Sequence, residues 1–403
     1  MRTQKRNQRS NGLWAMFLAA SASTTAALAV ATGAVAAYGH ASPHHHAYKG
    51  LYRLRDARSA RARLVHGLLL VEGTSADDKI GLRLKAGDPN TLQVDFGDDG
   101  SAEFEFARAK VGAIEVEAGL GNDLVRIDES NGVFTDKIPT ILDGGPGNDI
   151  LAGGSGAETL IGGSGDDRID GNKGNDRAFM GAGDDTFVWD PGDGSDTVEG
   201  QDGNDTMLFN GAAAAEHVDL SANGNRLRFF RDVAAITMDT AGVEQVDFNA
   251  LGGADVVTVH DLTGTDVKHV NVDESNPAGS GTGDGQPDQV IVEGTAGNDR
   301  ITAAGRDGNA QVSGLSTIVT VSGAEPANDT LTIDGLDGND NISASALASS
   351  AGKLAIDGGN GNDVLIGGAG DDVLSGSAGN DLLIGGPGQD SLDGGTGTNI
   401  LIQ

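Results

Sequence analysis

The chain has 403 residues, 64 of them glycine, only 4% aromatic and none cysteine, so neither one conventional core nor disulfides will hold it together. Its formal net charge is −32, and the spread is uneven: residues 1–63 hold ten Lys/Arg and one acid (Asp56), leaving 17 bases against 58 acids in residues 64–403. That net of −41 opposes compaction unless cations bind, and it excludes nucleic acid as a partner, since no basic face survives in the body of the chain.

Residues 1–36 read as an export signal. Arg2, Lys5, Arg6 and Arg9 make a positive start, Leu13 to Val35 is apolar or small, and Ala34-Val35-Ala36 offers a cleavage pattern. Cleavage there leaves no transmembrane segment in the mature chain; retention as an anchor is the competing reading, because a run of this length spans a bilayer. Residues 37–63 read as a linker, with His40, His44, His45 and His46 followed by Lys49, Arg53, Arg55, Arg58, Arg61 and Arg63. A solvated tail is expected, although clustered histidines are also transition-metal ligands.

Residues 64–140 and 210–356 alternate apolar and polar side chains, as in Leu92-Gln93-Val94-Asp95-Phe96 and Val270-Asn271-Val272-Asp273, and Gly, Asn and Asp punctuate them. Both predict β-rich segments. They also echo one another. Val71-Glu72-Gly73-Thr74 ending at Asp78-Lys79-Ile80 matches Val292-Glu293-Gly294-Thr295 ending at Asp299-Arg300-Ile301, which suggests a tandem duplication.

Residues 141–209 and 357–403 carry a nonapeptide, G-G-x-G-x-D-x-U-x, where U is large and apolar. The first array starts at Gly144, Gly153, Gly162, Gly171 and Met180. It regains phase at Pro191 and Gly200 if Trp189 and Asp190 are a two-residue insertion. The second starts at Gly358, Gly367, Gly376, Gly385 and Gly394. Fixed periods of this kind decide the architecture. Glycines let the first six residues turn tightly, and three extended residues follow with position 8 facing inward. Position 8 reads Leu365, Leu374, Leu383, Leu392 and Leu401 in the second array, and Leu151, Leu160, Ile169, Ala178 and Phe187 in the first. Five leucines at one phase are not a disordered linker. Two units make an eighteen-residue coil, so position-6 carboxylates stack about 4.8 Å apart. A cation between them would relieve their repulsion, and calcium suits oxygen donors in flexible geometry.

The nonapeptide resembles the calcium-binding repeat of RTX (repeats-in-toxin, hemolysin-type) proteins. That resemblance implies an all-β fold of parallel β-roll or solenoid arrays with β-rich flanking segments, and calcium as the bound ion. The metal ligands it implies are Asp149, Asp167, Asp176, Asp185, Asp196, Asp205, Asp363, Asp372, Asp381 and Asp390. Glu158 and Asn399 stand at the same position in their units and predict weaker sites. Three single copies, ending at Asp123, Asp299 and Asp340, lack a stacked partner in the sequence, so ordinary turns fit them as well as metal sites do.

No catalytic residue emerges. The sequence has no H-E-x-x-H and no G-x-S-x-G, and His66, His217, His260 and His269 have no partner at motif spacing. The expectation is a secreted, non-enzymatic calcium-binding protein with a structural or adhesive role, whose folding is coupled to calcium. A cell-surface polymer or self-association is the further partner to consider. The alternative is a secreted carbohydrate-active enzyme with the rolls as accessory modules. One further expectation concerns the outward positions Val364, Ile366, Leu382, Ile384, Ile400 and Ile402, which predict an apolar strip that marks a contact surface.

Overall fold

The computed structural model describes residues 59–403. The export-signal reading, the histidine cluster and the linker as far as residue 58 fall outside the described residues. Arg61 and Arg63, assigned to that linker, belong instead to the edge strand Arg61–Val65. It pairs antiparallel with Leu68–Glu72, and both arginines reach Glu72.

From there the chain winds as strand, turn, strand, turn, and every second strand joins the same sheet. One sheet has sixteen strands. Its parallel run includes Ala113–Glu117, Thr140–Pro146, Thr159–Ser164 and Arg177–Ala182. The other sheet takes the intervening strands, such as Leu124–Asp128, Ile150–Ala152, Arg168–Asp170 and Thr186–Trp189. Leu160 lies opposite Leu142 and Ala178, and Ile169 opposite Leu151 and Phe187, so position 8 of each unit stacks on position 8 two units away. All six are fully buried. The expected inward row fails only at its end, where Leu392 is partly buried and Leu401 is 48% exposed because no further strand covers it.

The pairing runs unbroken through the segments without the nonapeptide. Each sheet is interrupted once by a reversed three-strand meander. In the first sheet this is His217–Asn223, Arg226–Arg231 and Ile236–Ala241. In the second it is Arg300–Arg306, Asn309–Ser313 and Ile318–Ser322. The sequence echo also has a counterpart: Leu68–Glu72 leads into the hairpin Lys79–Lys85/Asp88–Phe96, and Gln289–Glu293 leads into Arg300–Arg306/Asn309–Ser313.

The two-residue insertion after Phe187 lengthens the coil without losing phase, since Phe187 still lies opposite Met207. Trp189 is not a loop residue. It is fully buried and stacked on Phe209 at 4.0 Å, at the head of an aromatic cluster with Phe229 and Phe248. The expected outer strip is only partly realised: Val364, Ile366, Leu382 and Ile384 are half-buried, whereas Ile400 and Ile402 are exposed. Val373, on the other sheet, is equally exposed. No helix among the described residues is long and apolar enough to cross a membrane.

Candidate metal centre

In the arrays each coil turns through its glycine-rich hexapeptide with its own main chain close against the next. At Gly174, where φ is +128°, a Cβ would lie 1.6 Å from the carbonyl oxygen of Gly156 on the neighbouring coil. Only glycine fits there. The turn ends at position 6, whose side chain folds back over its own first glycine. A Cβ on Gly144, Gly162, Gly171, Gly200, Gly358, Gly367, Gly376 or Gly385 would come within 2.1–2.6 Å of the carboxylate Oδ2 of its own turn.

Stacked position-6 residues are joined by main-chain hydrogen bonds. The Asp149 N–H donates to Asp167 Oδ1, and Asp167 N–H to Asp185 Oδ1, each at 2.7 Å. Asp185 continues to Asp205 at 2.9 Å. Glu158, Asp176 and Asp196 form the equivalent ladder on the other edge, as do Asp363 with Asp381 and Asp372 with Asp390. An amide of one coil thus takes up Oδ1 of the next carboxylate, and Oδ2 is the oxygen left to face a cation.

In eight of the ten turns one carboxylate oxygen is left over. The Oδ2 atoms of Asp149, Asp167, Asp176, Asp185, Asp205, Asp363, Asp381 and Asp390 are buried and have no hydrogen-bond partner. Asp372 differs, because its Oδ2 accepts the Gly368 N–H at 2.7 Å. Burial of these groups without a counter-charge is the largest cause raising their pKa values: Asp149, Asp185 and Asp372 to about 6, Asp196 and Asp205 to about 7, Asp167 to about 8 and Asp176 to about 9.

The last turn shows what belongs beside that oxygen. Asn399 occupies position 6, and its Nδ2 sits where other turns place Oδ2, close to its own first glycine, Gly394. From there it donates to the carbonyls of Gly394 and Gly395. Where an aspartate stands in the same place, an anionic oxygen takes the position from which that amide reaches the glycine carbonyls. Such a set of hard oxygen donors fits calcium. No group of three or more acidic or histidine side chains among the described residues is arranged to hold an ion alone. A turn must therefore supply main-chain carbonyls besides its carboxylate.

The single copies are not alone. Asp78 N–H donates to Asp123 Oδ1 and Asp123 N–H to Asp149 Oδ1, both at 2.7 Å, so these turns extend the first ladder. Asp299, Asp340 and Asp363 do the same for the second. Asp123 and Asp340 each keep a buried, unpartnered Oδ2. Their stacking partners are 45, 26, 41 and 23 residues away rather than 18, which hides the ladder from a search for fixed spacing.

A second ladder, at position 5, escaped the motif altogether. Asp166 N–H donates back to Asn148 Oδ1 and Asp184 N–H to Asp166 Oδ1, each at 3.0 Å; Asn380 donates likewise to Asn362. Asn or Asp at position 5 in most units was the available signal.

Family comparison matches residues 141–157, 152–187, 192–211, 356–383 and 366–401, the segments that carry these turns. They are RTX calcium-binding nonapeptide repeats. The RTX segments mark the chain as a calcium-binding repeat protein. No curated protein matches the chain.

Outside the RTX turns, His260 lies between two acids, Nδ1 2.5 Å from Glu293 Oε2 and Nε2 2.6 Å from Asp219 Oδ2. His217 is 2.9 Å from Asp232. Both histidines thus have acidic neighbours distant in sequence that spacing did not reveal.

Proposed function

We propose that the protein is exported and serves outside the cell as a calcium-assembled structural or adhesive solenoid, with no catalytic step of its own. The observation that carries this reading is the row of buried Oδ2 atoms without partners in turn after turn. Each is an anion removed from water with no counter-charge, which costs several kcal/mol per group unless a cation or a proton joins it. In calcium the ten position-6 aspartates would hold the ions together with carbonyls of their own glycine-rich turns. The bound ion supplies no chemistry beyond charge neutralisation and cross-linking of neighbouring coils.

Because the ligands come together only in the coiled state, binding free energy is folding free energy. Export into a calcium-rich medium would then time folding to follow secretion, which agrees with the signal-like residues 1–36. The test is far-UV circular dichroism of the mature chain in chelator, in millimolar magnesium and in millimolar calcium. β-content should rise in calcium and little in magnesium, which demands small octahedral sites. Equal β-content in chelator and in calcium would sink the coupling.

A further inference from the structure

The turns that lead into strands His217–Asn223, Val256–Val259, Gln289–Glu293 and Thr330–Asp334 lie, apart from Gly211, beyond the residues the family matches. They nonetheless carry their own acidic ladder. Glu216 N–H donates to Asp255 Oδ1 and Asp255 N–H to Asp288 Oδ1, both at 2.8 Å, and Asp288 N–H donates to Asp329 Oδ1 at 2.9 Å.

The first residues of the same turns also stack. Gly211 N–H donates to the Asn249 carbonyl, Ala250 N–H to that of Asp273, and Glu274 N–H to that of Ser322, which places Gly211, Ala250 and Glu274 at equivalent points of successive coils. In an RTX turn this point is the glycine over which the position-6 carboxylate folds. Gly211 keeps that relation, since a Cβ there would lie 2.7 Å from Glu216 Oε2. At Glu274 the point carries a carboxylate of its own.

Glu274 is 3% exposed and its Oε2 has no partner; Asp255 is 2% exposed and its Oδ2 has none. The small cavity beside Glu274 is lined by Asp329 and otherwise by apolar or neutral groups, including Val290, Val321 and Leu331. No basic side chain forms an ion pair with Glu274, Asp255 or Asp288 among the described residues. Glu216, one coil away, shows the contrast: its buried carboxylate is held by Arg231. The glycine-rich loop between Glu274 and Asp288 closes over the Ala250–Asp255 turn, with Gly253 N–H donating to Asp284 Oδ2 at 2.8 Å.

We propose that Glu274 and Asp255, in the stack with Asp288, are a calcium site outside the RTX repeats, completed by main-chain carbonyls of the surrounding turns. Burial raises Glu274 to about 9 and Asp255 to about 8, consistent with carboxylates lacking a counter-ion. The donors are all oxygen, as calcium's coordination requires. Magnesium would not be satisfied there.

The inference rests on the calcium reading of the whole chain, and counting ions separates the two. Native mass spectrometry of the full mature chain in calcium resolves integer stoichiometries. Glu274→Gln keeps shape and removes charge; Asp255→Asn, on the neighbouring coil, does the same and guards against misfolding of either variant. Each variant should bind one calcium fewer than wild type, with unchanged circular dichroism in calcium. Wild-type stoichiometry in both variants means the carboxyls are simply protonated, and this site falls while the RTX turns stand. A wild type that binds no calcium overturns both readings.

Discussion

Withdrawing calcium should make the fold acid-loving, against the usual trend for acidic proteins. In the metal-free chain burial holds the stacked carboxyls far above the 3.8 of an unfolded aspartate: Asp196 and Asp205 at about 7, Asp167 at about 8. A carboxyl whose folded value is raised keeps its proton in the fold where the unfolded chain has lost it. The folded state then binds more protons, and stability falls as pH rises from about 4 through each folded value. Asp196, 2% exposed, moves from 3.8 to about 7. At 1.36 kcal/mol per pH unit, that is about 4 kcal/mol lost across the window. A typical domain has only about 5–15 kcal/mol, so two or three such groups suffice to unfold the arrays near neutrality. Asp95 works the other way: although buried, it is lowered through its bonds with Arg83 and Gly100, and it gives up stability only below the unfolded value. Thermal melts in chelator at about pH 5 and about pH 8 should show the lower melting temperature at the higher pH, and saturating calcium should remove most of the difference. A chelated protein that melts higher at about pH 8 than at about pH 5 would refute the reasoning.

Two further expectations concern single turns. Asp381→Ala deletes a buried carboxylate that accepts the Asp363 N–H and leaves Oδ2 free, whereas Asn399 already satisfies its own carbonyls. Calcium titration should therefore show weakened binding, about tenfold for one site, in Asp381→Ala and little change in Asn399→Ala; like titrations would mean the ladder has been misread. At Gly379, with φ +150°, a Cβ would lie 1.3 Å from the Gly361 carbonyl oxygen, while at Gly224, with φ +69°, it meets nothing. Gly379→Ala should cost about 3–5 kcal/mol in calorimetry from strain and a forced separation of coils, and Gly224→Ala about 1 kcal/mol. Equal losses would show that the coils do not stack this closely.

What was legible in the sequence was whatever repeats at constant spacing. The run Leu365, Leu374, Leu383 fixed the inward phase, and Phe187 to Met207 kept it across an insertion because Trp189 could be accommodated in the core. The position-6 carboxylates in the arrays follow from the same phase. The ladder through Glu216, Asp255, Asp288 and Asp329 did not show, because meanders and loops set its members 39, 33 and 41 residues apart. Glu274 was invisible for another reason: its role depends on standing where other turns have glycine, and only the stacking reveals that equivalence. Spacing gave the distance between carboxylates but not the amide that bonds one oxygen of each.

The two ladders run in opposite senses. At position 6 each amide donates to the coil that follows, and at position 5 each amide donates to the coil before. On this edge of the first array each junction is thus closed from both sides. Excising residues 162–179 would set Asp149 under Asp185 and Asp184 over Asn148, and both rails would close again on that edge. Length becomes a quantity that whole-coil gain or loss can change while the junctions on that edge keep their pattern. The reach of such a protein is set by copy number, much as a ruler's is by its marks.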